Sequence, residues 1–414
     1  MASTRTARLP VTVVTGFLGA GKTTLLRHLL LHSGQRLAVL VNEFGEVGID
    51  GDLIASCGFC PEEELDGRLV ELANGCLCCT VQDEFLPTMA RLLEQADRLD
   101  GIVVETSGLA LPAPLVAAFN WPEIRTRTRV NAVVTVVDGE ALAAGHVVGN
   151  RASLEAQRLA DPSLDHLSAI EDLFEDQLQA ADLVLISRAD RITPEALAAL
   201  GEQLNRRLRP GTALLPMARG LIDPALILDV TELPCHRHAE AEERGQRRQP
   251  EHSHRDDGAQ HHPQGPSLDV HQHVRGAGES QHEGHGHGHD SDHGHDHAVD
   301  HDHHDHTHVA VASIVHRHPG PWERTDLERQ IAELILNEPV LRLKGRLRQP
   351  ERRLPLQIQA VGPRLDCWYD SASSAGADPA PAGAASGLEL VALTAVSHSE
   401  QVSAALQRLR PANL

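Results

Sequence analysis

The octapeptide Gly16-Phe17-Leu18-Gly19-Ala20-Gly21-Lys22-Thr23 fits the pattern G-x-x-x-x-G-K-S/T, and its setting constrains the fold more than any other feature of the chain. It follows directly on the β-branched run Val11-Thr12-Val13-Val14-Thr15 and leads directly into the helix-patterned Leu25 to Leu31. A strand, a glycine loop and a helix in that order point backbone N–H groups at an anion, with the partial positive charge of the helix N-terminus behind them. Gly16, Gly19 and Gly21 permit the turn, Lys22 is placed to meet the β and γ oxygens of a nucleoside triphosphate, and Thr23 offers its hydroxyl to Mg²⁺.

The surrounding chain supports a parallel sheet. Arg36 to Val41, Gly101 to Val104, Ala132 to Val137 and Leu183 to Ile186 are short apolar runs alternating with longer helix-patterned segments, as expected of strands covered on both faces. An α/β protein without nucleotide fits that alternation alone, so the nucleotide reading rests on the loop. Ile102-Val103-Val104-Glu105-Thr106-Ser107-Gly108 supplies a second Mg²⁺-side carboxylate at a strand end, Glu105, and a backbone N–H at Gly108 for the γ-phosphate. Leu183 to Asp190 occupies the place where a GTPase carries Asn-Lys-x-Asp. Only the Asp is kept: Asp190 is expected to accept the N1 and N2 protons of guanine, a donor pair that adenine lacks. Arg188 is expected to lay its planar guanidinium over the base, whereas Ser187 lacks the amide of Asn.

Charge and cysteine usage limit the partners. A formal net charge of −21 opposes binding to a nucleic-acid backbone or an anionic membrane and favours cations. No run approaches the ~18 apolar residues of a membrane span, and no signal peptide is evident, so a soluble cytoplasmic protein is expected. Five of the seven cysteines crowd between Cys57 and Cys79, which reads as reduced thiols rather than disulfide staples. Cys76, Cys78 and Cys79, in Asn74-Gly75-Cys76-Leu77-Cys78-Cys79, are soft ligands suited to Zn²⁺ or Co²⁺, and their tight spacing points to an open, exchangeable site. Cys57 and Cys60 form a weaker pair, readable as auxiliary ligands, a thiol-handling pair or small buried residues. Glu43 and Glu46, after the second strand, are candidates for nucleotide sensing or for completing the metal sphere, or belong to a solvated loop.

Composition changes sharply at Pro234. Of 27 histidines, 22 lie between His236 and His318, interleaved with Asp, Gly and Gln, and apolar periodicity is lost until Val309. Neutral imidazoles alternating with carboxylates make weak chelating sites suited to metal storage; a low-complexity linker without function is the plainer alternative. Patterning returns at Val309 to Val315, Leu327 to Leu336, Leu354 to Val361 and Leu388 to Val396, with a loop at Ser371 to Gly387. The expected organisation is a P-loop α/β domain over residues 1–232 with helices on both faces of its sheet, a disordered His/Asp-rich metal-binding linker over 233–308, and a small α+β domain over 309–414.

Thr15 to Thr24, Val41-Asn42-Glu43-Phe44-Gly45-Glu46, Asn74 to Cys79 and Glu105 to Gly108 together resemble, in order, the signatures of the CobW-type P-loop GTPase family, and Val340 to Gly345 and Gln359 to Gly362 more loosely resemble its C-terminal domain. The resemblance implies GTP hydrolysis coupled to transition-metal delivery. Lys22, Glu43 and Glu105 would be the catalytic set, Thr24 and Gly108 would join the nucleotide-binding residues, and Thr23 and Glu105 would hold Mg²⁺. Within the family, Ser107 to Pro112, Phe119 to Pro122, Cys79 to Met89, the Cys57 to Cys60 insertion and Ile170 to Leu178 look most like the branch that delivers Co²⁺ for cobalamin, which implies a metal-receiving client such as cobaltochelatase. A zinc chaperone of the same family, a metal-buffering protein and an ATP-dependent kinase are the competing expectations. Asp190 and the lack of an acceptor-binding motif oppose the kinase, and the intact phosphate loop opposes a pure buffer.

Overall fold

The computed structural model describes residues 8–41, 69–71, 85–149, 152, 170–229, 309–369 and 386–411. The N-terminal part is a sheet of seven parallel strands: β1 (Leu9–Thr15), β2 (Leu37–Val41), β3 (Leu69–Glu71), β4 (Gly101–Glu105), β5 (Thr128–Asp138), β6 (Leu183–Ser187) and β7 (Ala213–Pro216), in the spatial order β3-β2-β4-β1-β5-β6-β7. The first strand is central, with β5, β6 and β7 following outward in chain order on one side and β4, β2 and β3 on the other. In such sheets ligands bind at the carboxyl ends of the strands where the order reverses.

Helices cover both faces. On one, α1 (Lys22–His32) buries Leu25, Leu26 and Leu29 against Val14, Val39, Val134 and Leu185. Each leucine so removed from water contributes about 1.5–3 kcal/mol. On the other face, α2 (Leu86–Glu94) and α3 (Pro112–Ala118) cover Val13, Leu40, Ile102 and Val104 through Met89, Leu93 and Leu115. Farther along, α4 (Ile170–Ala180) and α5 (Pro194–Asn205) pack Phe174, Leu178, Leu200 and Leu204 on Val137, Val184 and Ile186. A last short helix, α6 (Pro224–Ile227), starts from the Asp223 cap, whose side chain accepts from the Ala225 N–H at 2.8 Å.

The C-terminal part is an antiparallel sheet of β8 (Val311–Pro319), β9 (Arg342–Arg348), β10 (Leu356–Val361), β11 (Arg364–Tyr369) and β12 (Gly387–Ala395), ordered β11-β10-β9-β12-β8. One face packs under α7 (Arg324–Asn337) and α8 (Ser399–Arg408), with Leu327, Ile331, Val402 and Leu406 set on Leu343, Leu347, Ile358 and Leu390. Part of the opposite face closes on the parallel-sheet domain. Leu341, Val361 and Leu393 join the core around α1 and α6, so the two domains share one hydrophobic cluster and form one compact unit.

Polar groups fix that junction. Asn131 donates to Thr12 Oγ1 at 3.0 Å and to the Ile227 carbonyl at 2.7 Å, while its Oδ1 accepts from Arg342 Nη2 at 2.8 Å and from Gln359 Nε2. Arg342 is fully buried, and burial pushes its guanidinium down to about 9, still charged at neutral pH. Asp229 receives Arg129, Arg342 and Lys344 together. Among the described residues no helix is long and apolar enough to cross a membrane.

Candidate functional site

The carboxyl ends of β1, β4 and β2 lie side by side, with Val14 in register with Glu105 and Val41 in register with Glu105 from the other side. The loop from β1 to α1 is held open by glycine conformations: Gly16, Gly19 and Gly21 have φ of 136°, 75° and 103°. At Gly16 there is no room for any other residue, because a Cβ would stand 2.1 Å from the Val136 carbonyl oxygen. Gly21 is the left-handed N-cap of α1, which leaves no side chain between the first helical N–H groups and whatever the loop encloses.

Lys22 is buried at the first turn of α1. Its Nζ donates to the Phe17 carbonyl at 3.4 Å and lies 3.7 Å from Glu105 Oε1, both side chains being less than a tenth exposed. Lys22 and Glu105, expected to flank the triphosphate and its Mg²⁺, are thus brought together at the mouth of the loop. Thr23 is half-buried and Thr24 exposed on the same turn. The β4–α3 connection packs straight onto the glycine loop: a Cβ on Gly108 would come within 2.5 Å of the Leu18 nitrogen. Gln177 of α4, fully buried, fixes that connection by donating to the Gly108 carbonyl at 3.1 Å and the Ala110 carbonyl at 3.4 Å.

The β6 end supplies the other wall. Ser187 lies behind the loop, its side chain 3.6 Å from where a Gly21 Cβ would be. Arg188, in the left-handed region at φ 53°, reaches the loop itself: Nη2 donates to the Gly19 carbonyl at 2.8 Å and Nη1 binds Asp138 Oδ2. The guanidinium expected over the base thus also braces the loop through the Gly19 carbonyl. Asp138 also caps the helical turn Gly139–Ala143 by accepting from the Ala141 N–H at 3.2 Å. Beside this clamp a cavity of about 370 Å³, lined by Leu18, Gly19, Asp138, Glu140 and Arg188, falls within the roughly 300–1,000 Å³ usual for ligand pockets. Asp190 sits in a 3₁₀ turn with its carboxylate 3.7 Å from Arg219 Nε, a largely exposed partner.

Nucleotide and Mg²⁺ fit these residues. The glycine cradle admits no Cβ at its tightest points, a buried lysine and carboxylate stand at its mouth, and among the described residues the buried hydroxyls of Thr106, Ser107 and Ser187 have no hydrogen-bond partner. Buried polar groups of that kind are normally satisfied, by protein, water or ligand. Glu43, Glu46, Cys57, Cys60, Cys76, Cys78, Cys79 and the histidine-rich stretch up to His308 lie outside the described residues. Strand β3 pairs in parallel with β2, with Glu71 in register with Val41, so the chain leaves toward Cys76 from the same sheet edge that carries Glu105.

Asp138 and Gln177 are not among the residues that the sequence reading singles out. Asp138 was legible as the polar end of an apolar strand followed by Gly139-Glu140, a helix-cap setting; Gln177 had no local signal, because its burial depends on a loop about 70 residues away.

The chain is similar to known proteins in both of its domains. Residues 10–216 match the family profile described as CobW/HypB/UreG, nucleotide-binding domain, and residues 311–410 match the one described as cobalamin synthesis protein cobW C-terminal domain. A zinc chaperone CobW from a Sinorhizobium species is 39% identical over 372 residues, which is 89% of this chain and 90% of that protein. A zinc chaperone CobW from Pseudomonas aeruginosa is 53% identical over 224 residues, 54% of this chain and 60% of that protein, so the chain matches less than two thirds of this relative's length. The crystal structure of Zn(II)-bound YjiA GTPase from Escherichia coli aligns over 98% of this chain and 99% of that one, at 21% identity and a TM-score of 0.35. With both domains matched and one relative similar along nearly its whole length, the chain belongs to the CobW family.

Proposed function

We propose that the protein is a GTP-hydrolysing metallochaperone whose cargo is zinc, held by Cys76, Cys78 and Cys79 and passed to a client enzyme. One observation carries the coupling of nucleotide to metal: β2, β3 and β4 end in register, so the segments containing Glu43 and the three thiols start from the edge that carries Lys22 and Glu105. Adjacent strands are about 4.8 Å apart, which puts the end of β3 roughly 10 Å from that of β4. Cys76 is five residues beyond Glu71, within about 17 Å of that strand end. A rearrangement at the γ-phosphate is thus within reach of the thiols.

The residues divide the work as follows. The loop N–H groups and Lys22 bind the phosphates, with Lys22 exchanging its contact to Glu105 for phosphate oxygen. Arg188 keeps the Gly19 carbonyl turned away from the anion by hydrogen-bonding it. Thr23 and Glu105 would hold Mg²⁺, which supplies charge neutralisation at the β and γ oxygens. Asp190 reads guanine, and Glu43 acts on the hydrolytic side. Ordering of the thiol segment by GTP brings the thiolates together, so metal and GTP tighten one another's binding.

Zinc is preferred over the cobalt expected from the sequence because both relatives described above bear the name zinc chaperone. Cobalt has one observation in its favour, the description of the C-terminal family profile as that of a cobalamin synthesis protein. Donor softness does not separate the two metals, since both accept thiolates. The test is to titrate Co²⁺, followed by thiolate charge-transfer absorbance, and Zn²⁺ by competition, with a non-hydrolysable GTP analogue, GDP or no nucleotide. The expected result is about 5- to 150-fold tighter binding with the GTP analogue, reversed by hydrolysis. Equal affinity in all three states would remove the gated-chaperone reading and leave a metal buffer. A client activated by cobalt and not by zinc would restore the cobalt assignment.

A further inference from the structure

The C-terminal domain contains a second group of metal-type donors, on a different sheet from the one that carries the phosphate loop. His316 and His318 are two residues apart on β8, so their side chains share the sheet face under α8, and their rings stack with centroids 5.1 Å apart at 24°. His318 is 9% exposed. Among the described residues its Nε2 is buried with no hydrogen-bond partner. His316 Nδ1 is buried and likewise unpartnered. Next to them the Trp322 ring meets His318 edge-on at 5.7 Å, and Trp322 Nε1 and Ser386 Oγ are two more buried atoms without partners. The Ser386 carbonyl accepts from the Gly320 N–H at 3.1 Å, just beyond the end of β8.

Four orphaned polar atoms at one end of one strand are unusual, because each buried donor or acceptor left unsatisfied costs about 1–3 kcal/mol. Two imidazoles on one strand face, each keeping a buried ring nitrogen without a hydrogen-bond partner, offer the bare nitrogens that divalent transition metals bind. We propose that His316 and His318 form a two-imidazole binding site for a divalent transition-metal ion, distinct from the cysteine site, with water completing the coordination.

The buried His318 is the anchor of this site and the half-buried His316 its more accessible ligand. Arg410, held by the carbonyls of Gln407 and Leu409, is the cation that opposes binding. Among the described residues no third His, Cys, Asp or Glu joins the pair. Two protein ligands with a cation nearby make a site that loads and releases its ion readily, in contrast to a closed four-ligand structural site.

The test uses the full chain labelled with 5-fluorotryptophan, whose three tryptophans give three ¹⁹F lines, that of Trp322 being assigned with Trp322→Phe. Co²⁺ is the probe. The expected result is that the Trp322 line broadens or shifts at low Co²⁺, and that His316→Gln raises the Co²⁺ needed by about tenfold or more. A Trp322 line unchanged at excess Co²⁺, or identical titrations of wild type and His316→Gln, would overturn the proposal. Anomalous diffraction from zinc-loaded crystals tests it without a variant: a peak about 2.0–2.1 Å from a ring nitrogen of each histidine is expected, and zinc peaks elsewhere with none here would refute it.

Discussion

Arg188 Nη2 donates to the backbone carbonyl of Gly19 at 2.8 Å, so a residue at the end of β6 holds the crest of the phosphate loop. A carbonyl left free there would turn its negative end toward an incoming triphosphate, and the guanidinium both occupies it and adds positive charge. Asp138 in turn holds the guanidinium. Hydrogen bonds to charged groups contribute about 1.5–3 kcal/mol, so Arg188→Ala is expected to weaken nucleotide binding about 10- to 100-fold. Arg188→Lys, which keeps the charge but lacks the planar fork that holds Gly19 and Asp138 together, is expected to recover only part of that loss. Calorimetric titration with GDP and a GTP analogue checks both, and an alanine variant with wild-type affinity would show that the contact is not used in binding.

The glycines of the loop are not equivalent. Gly16 has φ 136° and a Cβ there would lie 2.1 Å from the Val136 carbonyl oxygen, whereas at Gly19, φ 75°, a Cβ would meet nothing within 4 Å. Gly16→Ala must push β1 and β5 apart and is expected to cost about 3 kcal/mol or more, while Gly19→Ala pays only the left-handed backbone penalty of about 1–2 kcal/mol. Urea unfolding of both variants without nucleotide measures the difference. Equal destabilisation would mean that backbone conformation alone, and not the approach to Val136, selects glycine at position 16.

Asp182, 1% exposed, joins the two domains. Its Oδ2 accepts from the Val133 N–H at 2.8 Å and from Arg364 Nε of β11 at 2.5 Å, and its Oδ1 accepts from Arg209 Nη2 at 3.0 Å. Asp182→Asn removes the charge that both guanidiniums face and turns an N–H₂ toward one of the three donors. With the carboxylate buried but both arginines partly open to water, this loss costs about 1–3 kcal/mol. Arg209→Ala should cost about 1 kcal/mol or less, because Arg209 is more than a third exposed and Arg364 still neutralises the carboxylate. Denaturant unfolding of the two variants should show this ordering, and the reverse ordering would shift the weight of the network to Arg209.

The phosphate loop and the strands beside it were readable from sequence because their signals are local: Val11 to Thr15, Gly16 to Thr23 and the leucines of α1 carry strand, turn and helix without reference to anything distant. Strands β3 and β7 were missed; they have three and four residues, and β7 ends in Pro216, so neither shows a period. Strand β9, Arg-Leu-Lys-Gly-Arg-Leu-Arg, alternates with period two, but its cationic positions suggest solvent. In the structure Arg342 is fully buried, because Asn131, Asp229 and the carbonyl of Ala225 meet it from the other domain. His316 and His318 were grouped with the histidine-rich stretch, although strand alternation turns them inward beneath α8. Pairings across one to two hundred residues leave no local trace, and the domain junction, with Asp182 and Lys344, is built from them.

Lys344 gives the junction a pH dependence. Burial, with the charges of Arg342 and Arg129, pushes its ammonium down to about 6 although it touches Asp229, because that one carboxylate is shared by three cations. In the unfolded chain the same lysine titrates near ~10.4. Between these values the unfolded state therefore binds the extra proton, and stability rises with pH across that window. Below pH ~6 both states are protonated, the slope from this group vanishes, and the cost of the buried charge is fully present. Lys344→Met removes the titration while keeping an unbranched apolar stem. Its gain over wild type is expected to be about 1–3 kcal/mol at pH 6–7 and to shrink steadily toward pH 10, where wild-type Lys344 is already neutral when folded and the unfolded state no longer binds the extra proton. Urea midpoints of both proteins at pH 6, 7, 8, 9 and 10 give the difference curve. A methionine variant less stable than wild type at pH 7, by an amount that does not change with pH, would mean that Asp229 holds Lys344 charged and that the pair supports the junction.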